Sequence, residues 1–111
     1  MLTVYGISNC DTIKKTLNWL NEHKIQYQFH DYKKQGLTRE QLADWLTQTD
    51  WSTLLNRAGT TFKQLSEEQK AAVLNPESAL SFMLENTSAI KRPLIELDGK
   101  IVKIGWKPEG I

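Results

Sequence analysis

The chain has 111 residues and one cysteine, with 40% hydrophobic residues, 24% charged residues and a formal net charge of +1. That length suits a single domain with its own core and no need of disulfide staples, and one cysteine excludes an intramolecular disulfide. The balanced charge gives no global drive toward nucleic acid, no apolar run approaches the roughly 20 residues of a bilayer span, and Met1-Leu2-Thr3-Val4-Tyr5 lacks the basic and long apolar segments of a signal peptide. Together these features point to a reducing cytoplasm.

Residues 2–5 form a short β-like run closed by Gly6. Residues 11–23 predict a helix, in which Ile13, Leu17 and Leu20 make one apolar stripe at i, i+4, i+7 spacing. Residues 25–30 alternate as a strand, with Ile25, Tyr27 and Phe29 on one side. A short crossover helix between two strands makes them parallel neighbours. The polar stretch Asp31 to Gly36 reads as a loop. Thr38 to Gln41 has the pattern of a capping box and opens a helix to about Thr47 that buries Leu42, Trp45 and Leu46. Trp51 to Leu55 predicts a further short helical turn. Ser66 to Gln69 is a second capping box, opening a helix through Leu74. Asn75-Pro76 supplies an N-cap and a first-turn proline for a helix over 77–85, with Ala79, Leu80, Met83 and Leu84 expected inside. Arg92-Pro93 then breaks the pattern, Leu94 to Leu97 form a strand, Asp98-Gly99 signals a tight hairpin, and Lys100 to Ile104 form its partner.

Cys10 falls at the junction of the first strand and first helix. A thiol there meets free backbone N–H groups and the positive end of the helix dipole, which favour the thiolate. Lys14 lies one turn on and adds positive charge, whereas Asp11 partly opposes it. A lone cysteine is also commonly just a small buried hydrophobe. Arg92 precedes the proline that enters the third strand, a position similar to that of the cis-proline in thioredoxin folds. An arginine beside the cysteine loop suits an oxyanion, a carboxylate or a sulfenate, the bland reading being a trans proline and a solvated arginine. His23 is expected to face water and His30 to lie near a strand end, and two separated histidines with one cysteine make no metal site. Lys33-Lys34, Lys63, Lys70 and Lys91 form no nucleic-acid patch, and Trp19, Trp45, Trp51 and Trp106 read as packing residues.

Gly6 to Lys15, with Ile7-Ser8-Asn9-Cys10-Asp11-Thr12 at its centre, resembles the active-site start of the ArsC/Spx superfamily. It is closest to the YffB-like branch of arsenate reductase-related proteins. His30-Asp31-Tyr32, Leu54 to Thr60 and Ile90-Lys91-Arg92-Pro93-Leu94 resemble that branch in the same order. The resemblance spans essentially the whole chain. It implies an α/β, thioredoxin-like fold (β-α-β, then a β-hairpin) with an all-helical insert between the second and third strands. The implied organisation is a single domain, with the core in residues 1–36 and 88–111 and the insert in 37–87. By the same resemblance Cys10 matches the nucleophile, Arg92 the arginine before the proline, Arg57 an arginine that helps hold the oxyanion, and Lys14 a basic residue of the cysteine loop. Asn9, Thr12 and Pro93 complete the expected binding surface.

The departures from arsenate reductases are specific. Their third arginine, after the last strand pair, is missing from Ile101 to Trp106, and serine and glycine positions of their cysteine loop hold Ile13 and Asp11. Both argue against arsenate as the substrate. Ile13 also removes the Cys-x-x-Cys of Spx regulators, and the seven residues after Ile104 are fewer than the family's usual C-terminal helix needs. The expected function is a glutathione-dependent monothiol reductase with Cys10 as nucleophile, no bound cofactor, no metal, and glutathione or another small thiol as co-substrate. The alternatives are an Spx-like regulator that binds RNA polymerase without a redox switch, or a family member without catalysis. Direct nucleic-acid or membrane partners are not expected.

Overall fold

A computed structural model describes residues 2–57 and 59–105. Its contacts divide the chain into two compact units, one made by the segment up to Gly36 together with the segment from Arg92, the other by Leu37–Lys91. The expected packing of Trp106 and the reading of the C-terminal end lie outside the described residues.

The first unit is an α/β layer. Strand β1 (Leu2–Gly6) leads to helix α1 (Asp11–Glu22) and strand β2 (Tyr27–Asp31), and the hairpin strands β3 (Leu94–Leu97) and β4 (Lys100–Ile104) follow from the other end of the chain. The described strands form one sheet in the order β2-β1-β3-β4. β1 is parallel to β2 and antiparallel to β3, and β3 is antiparallel to β4. This is the thioredoxin-like fold that the family resemblance implied, with the parallel first pair and the hairpin read from the sequence. One core cluster unites Leu2 and Val4 of β1, Ile13 and Leu20 of α1 and Ile95 of β3, with Cys10, Leu17, Trp19, Ile25, Tyr27 and Phe29 packed at its margin. Leu17 is thus half-buried, and the helix turns Thr16 fully inward in its place. The Thr16 hydroxyl is satisfied inside the helix by donating to the Thr12 carbonyl at 2.8 Å.

β2 begins two residues later than the alternation suggested. Lys24 adopts a left-handed φ of 56°, and Ile25 N–H returns to the Leu20 carbonyl at 2.9 Å. That six-to-one bond closes α1 in a Schellman motif and uses up the residues before Tyr27. The strand runs on through Asp31, one residue beyond the end that the alternation predicts. At the hairpin, Asp98 and Gly99 both have positive φ, 51° and 87°, as a type I′ turn requires.

The second unit contains helices α2 (Arg39–Gln48), α3 (Trp51–Leu54), α4 (Thr60–Lys63), α5 (Glu67–Ala72) and α6 (Pro76–Glu85), followed by a 3-10 turn at Thr87–Ala89. The caps are those the sequence predicts. Thr38 accepts from Gln41 N–H, Ser66 and Gln69 form a reciprocal capping box, and Asn75 accepts from Ser78 N–H with Pro76 opening the helix. Leu42, Trp45, Ala79, Leu80 and Met83 are buried, while Leu46 and Leu84 are only half-buried. α5 stops two residues short of Leu74, because Val73 and Leu74 donate three residues back, to Lys70 and Ala71, and tighten the last turn. α4 carries no capping side chain, since its N-cap is Gly59, and so left no mark in the sequence. One extended pairing lies among the helices: Leu55 bridges Ile90 antiparallel, with Asn56 N–H on the Ala89 carbonyl and Lys91 N–H on the Leu54 carbonyl.

Gly6 fits the first core closely. A Cβ at this position would overlap the Ile13 side chain, which is itself fully buried. Gly6→Ala is expected to destabilise the chain by about 1–3 kcal/mol through overpacking. Ile13→Val shortens the clashing side chain, so the double variant should recover part of that loss in urea unfolding. Strictly additive losses would show that the contact is not the cause.

Candidate functional site

The loop Ile7–Cys10 leaves the C-terminal end of β1, and Cys10 is the N-cap of α1, in extended backbone conformation (φ −148°, ψ 126°). Its carbonyl accepts from Lys14 N–H at 3.0 Å, and its side chain is partly buried against the core cluster. Partial burial of the sulfur pushes its pKa up. Cys10 makes no side-chain cap hydrogen bond, but the electrostatic pull of the Ile13 N–H, the Arg92 side chain and the Thr12 N–H, with the charge of Arg92, outweighs burial, so the Cys10 pKa lies below its usual value.

Arg92 reaches this position through the start of β3. The Arg92-Pro93 bond is cis, Pro93 is buried, and its carbonyl accepts from Gly105 N–H at 2.9 Å. β3 then pairs with β1, Leu94 opposite Tyr5, which sets the residue before the proline beside the end of β1. Burial works against the Arg92 charge, but contact with Cys10 and Tyr32 raises its pKa on balance, and the guanidinium stays cationic.

Two further residues join the site that the motif reading did not assign to it. Asp31, last residue of β2, is buried and lies opposite Gly6. Its carboxylate accepts from Ser8 N–H at 3.2 Å, Lys33 N–H at 3.0 Å and Lys34 N–H at 3.3 Å. Burial pushes the Asp31 pKa up, and the hydrogen bonds from Ser8, Lys33 and Lys34 bring it below the usual carboxylate value. Tyr32 follows directly, its N–H on the Gly6 carbonyl at 3.1 Å and its ring in the interior. Burial drives its phenol up to about 12 against the opposing pull of Arg92. The sequence signal for both residues was an acidic group at the end of a strand predicted parallel to the one that leads into the cysteine.

The remaining expected residues are placed as follows. Asn9 is exposed in the loop, Thr12 is half-buried, and Lys14 is exposed on α1. Arg57 belongs to the helical unit, exposed in the turn after α3, with its N–H on the Leu55 carbonyl at 3.1 Å. His23 is exposed, stacks on Trp19 at 4.0 Å and has Nδ1 2.8 Å from the Trp19 carbonyl, so it does not simply face water. His30 pairs with the Tyr5 ring at 5.0 Å and has Nε2 2.8 Å from the Gly36 carbonyl. No group of three or more His, Cys, Asp or Glu side chains with the geometry of a metal site occurs among the described residues. Among those residues no helix is long and apolar enough to cross a membrane.

A thioredoxin-like sheet with a cysteine at its first strand–helix junction, faced by an arginine ahead of a cis-proline, defines a class of thiol-bearing α/β proteins. Within that class the chain belongs to the ArsC family, whose sequence model matches residues 5–111. The solved structure described as YFFB (PA3664) protein is 50% identical, with a TM-score of 0.88 over 97% of this chain and 93% of that one. An arsenate reductase (ArsC) related protein from Brucella melitensis is also 50% identical, with a TM-score of 0.83 over 96% of this chain and 88% of that one. The global transcriptional regulator Spx of Streptococcus agalactiae is 26% identical over all of this chain and 80% of its own length.

The Asp31 carboxylate ties the cysteine loop to the turn after β2, and Asp31→Asn tests that tie. The variant is expected to lose about 1–3 kcal/mol at pH 7, the scale of hydrogen bonds to a charged acceptor. Because the folded-state pKa is depressed, the wild-type advantage is full above the unfolded value of about 3.9 and is lost as pH falls through the folded one. Urea unfolding of both proteins across pH 7 to 3 measures it. A difference that stays constant with pH would assign the effect to shape rather than charge.

Proposed function

We propose that this chain is a glutathione-dependent monothiol reductase in which the Cys10 thiolate is the nucleophile. The observation that supports the reading is the convergence of Arg92 and the Ile13 and Thr12 N–H groups on the Cys10 sulfur, which lowers its pKa. The thiolate attacks one sulfur of a mixed disulfide, the S–S bond breaks, and the departing thiolate takes a proton from solvent. Cys10 is the one cysteine of the chain, so no internal thiol can resolve the new disulfide. A glutathione thiolate attacks the Cys10-bound glutathione sulfur instead, releasing glutathione disulfide and restoring the Cys10 thiolate. Arg92 steadies the thiolate before attack and after release. Asn9, Thr12, Lys14 and Pro93 are proposed as the surface that receives the substrate, with Lys14 suited to a glutathione carboxylate, and Arg57 of the helical unit is proposed as a further cation for it. Arsenate is not favoured, for want of the third arginine in Ile101 to Trp106. The work of such an enzyme fits a cytoplasmic setting.

The match to Spx supports a second reading, a transcriptional regulator, for which RNA polymerase is the proposed partner. Its discriminating test is recovery of stoichiometric polymerase from cell extract on the tagged chain.

Iodoacetamide alkylation of Cys10 across pH, followed by intact mass, tests the first reading. The thiolate is the reactive form, so the rate rises with pH through the folded-state pKa. In the wild type this rise is expected below the ~8.5 of an unperturbed cysteine. Arg92→Met is expected to move it up by about one to two units, the equivalent of one charge-assisted hydrogen bond. Glutathione disulfide should give a single adduct on Cys10. A wild-type midpoint at or above about 8.5 without an adduct refutes the proposal.

A further inference from the structure

The thiol-reductase reading leaves the Tyr32 hydroxyl without a task. Tyr32 is 2% exposed, and its Oη has no hydrogen-bond partner among the described residues. Arg92 is close enough to pull on the phenol through its charge and its side-chain N–H groups without completing a well-formed hydrogen bond to Oη, and the same guanidinium acts on the Cys10 sulfur. Leaving a buried O–H unmade costs about 1–3 kcal/mol, and a strong acceptor arriving beside Arg92 would recover it. With its pKa driven up to about 12, the phenol stays protonated at neutral pH and is available as a donor.

A glutathione adduct places sulfur, a weak acceptor, on Cys10. A sulfenate places oxygen there, one bond from Sγ, and brings no bulky group toward a fully buried hydroxyl. We propose that Cys10 also reduces hydroperoxides, with Arg92 and the Tyr32 hydroxyl as the donors that receive the oxygen left on its sulfur. This rests on the Cys10 thiolate of the reading above, but calls on a different substrate and a different donor.

The thiolate attacks the terminal oxygen of the hydroperoxide. An S–O bond forms, the O–O bond breaks, and the leaving alkoxide, or hydroxide from hydrogen peroxide, takes a proton from solvent. Cys10 is oxidised to the sulfenic acid, which ionises against Arg92, and the peroxide is reduced by two electrons. A first glutathione condenses with the sulfenic acid and releases water. A second releases glutathione disulfide and returns the thiolate.

The test exposes the reduced full-length chain to hydrogen peroxide with dimedone as sulfenate trap, read by intact mass. One dimedone adduct is expected, and it should vanish in Cys10→Ser. Added glutathione should discharge the sulfenate and sustain peroxide consumption. Tyr32→Phe keeps the ring in the core and removes only the hydroxyl. Its ratio of peroxide to iodoacetamide rate constants should fall about tenfold, the equivalent of one lost hydrogen bond to a charged acceptor. Both reagents need the thiolate, so the ratio cancels any change in its population. Absence of the adduct in the wild type, while glutathione disulfide still modifies Cys10, overturns the peroxide proposal and leaves the reductase standing. An unchanged ratio in Tyr32→Phe overturns the role of the hydroxyl. A Cys10 inert to all three reagents overturns both readings.

Discussion

The antiparallel pairing of β1 with β3 is the constraint on which the site depends. It sets Leu94 against Tyr5 and so brings Arg92-Pro93, far along the chain, to the end of the strand that carries Cys10. Neither residue is unusual alone. A lone cysteine is ordinarily a small hydrophobe, and a half-buried arginine ordinarily finds a carboxylate. Placed together they change each other: the cation lowers the thiol pKa, and the sulfur raises that of the guanidinium. The bulge between Ile95 and Glu96 and the backbone bond from Gly105 to Pro93 hold the entry to β3 from the far side of the hairpin.

The parallel partner of β1 secures the other flank. β2 ends at Asp31, opposite Gly6, where the chain leaves the sheet for the cysteine loop. The carboxylate there gathers N–H groups from both sides, Ser8 from the loop and Lys33 and Lys34 from its own turn. Gly6 has no side chain and so lets Ile13 close over the junction, while its carbonyl takes the Tyr32 N–H. One short stretch of backbone therefore fixes the loop, the helix start and the buried phenol at once.

Most of this architecture was legible because it rests on local chemistry. The three capped helices announced themselves through Thr38, Ser66 and Asn75, and the hairpin through Asp98-Gly99, since each residue satisfies a backbone need within a few positions. The cysteine and arginine were legible through the resemblance of their surrounding motifs. Asp31 and Tyr32 were not assigned to the site because a polar residue after a strand reads as loop. Its burial is decided by the Ser8 N–H across the sheet, which no local pattern encodes. α4 escaped for the opposite reason, since Gly59 offers no capping side chain to read. Boundaries slipped where left-handed Lys24 ended α1, a conformation that favours glycine and that no residue type at that position advertised.

The chemistry open to this site follows from counting thiols. With one cysteine in the chain, every oxidised state of Cys10, disulfide or sulfenate, has to be resolved by a thiol from outside. On the proposed readings the protein controls the first step more directly than the second. Arg92 and the helix N-terminus favour the Cys10 thiolate, and a neutral phenol, rather than a second thiol, stands beside Arg92. A phenol held near 12 neither competes with Cys10 for the Arg92 charge at neutral pH nor offers the electrons to resolve a disulfide. It can only donate. On the proposed readings, such a site suits substrates that leave an electron-rich atom on sulfur, with an external small thiol as the reductant.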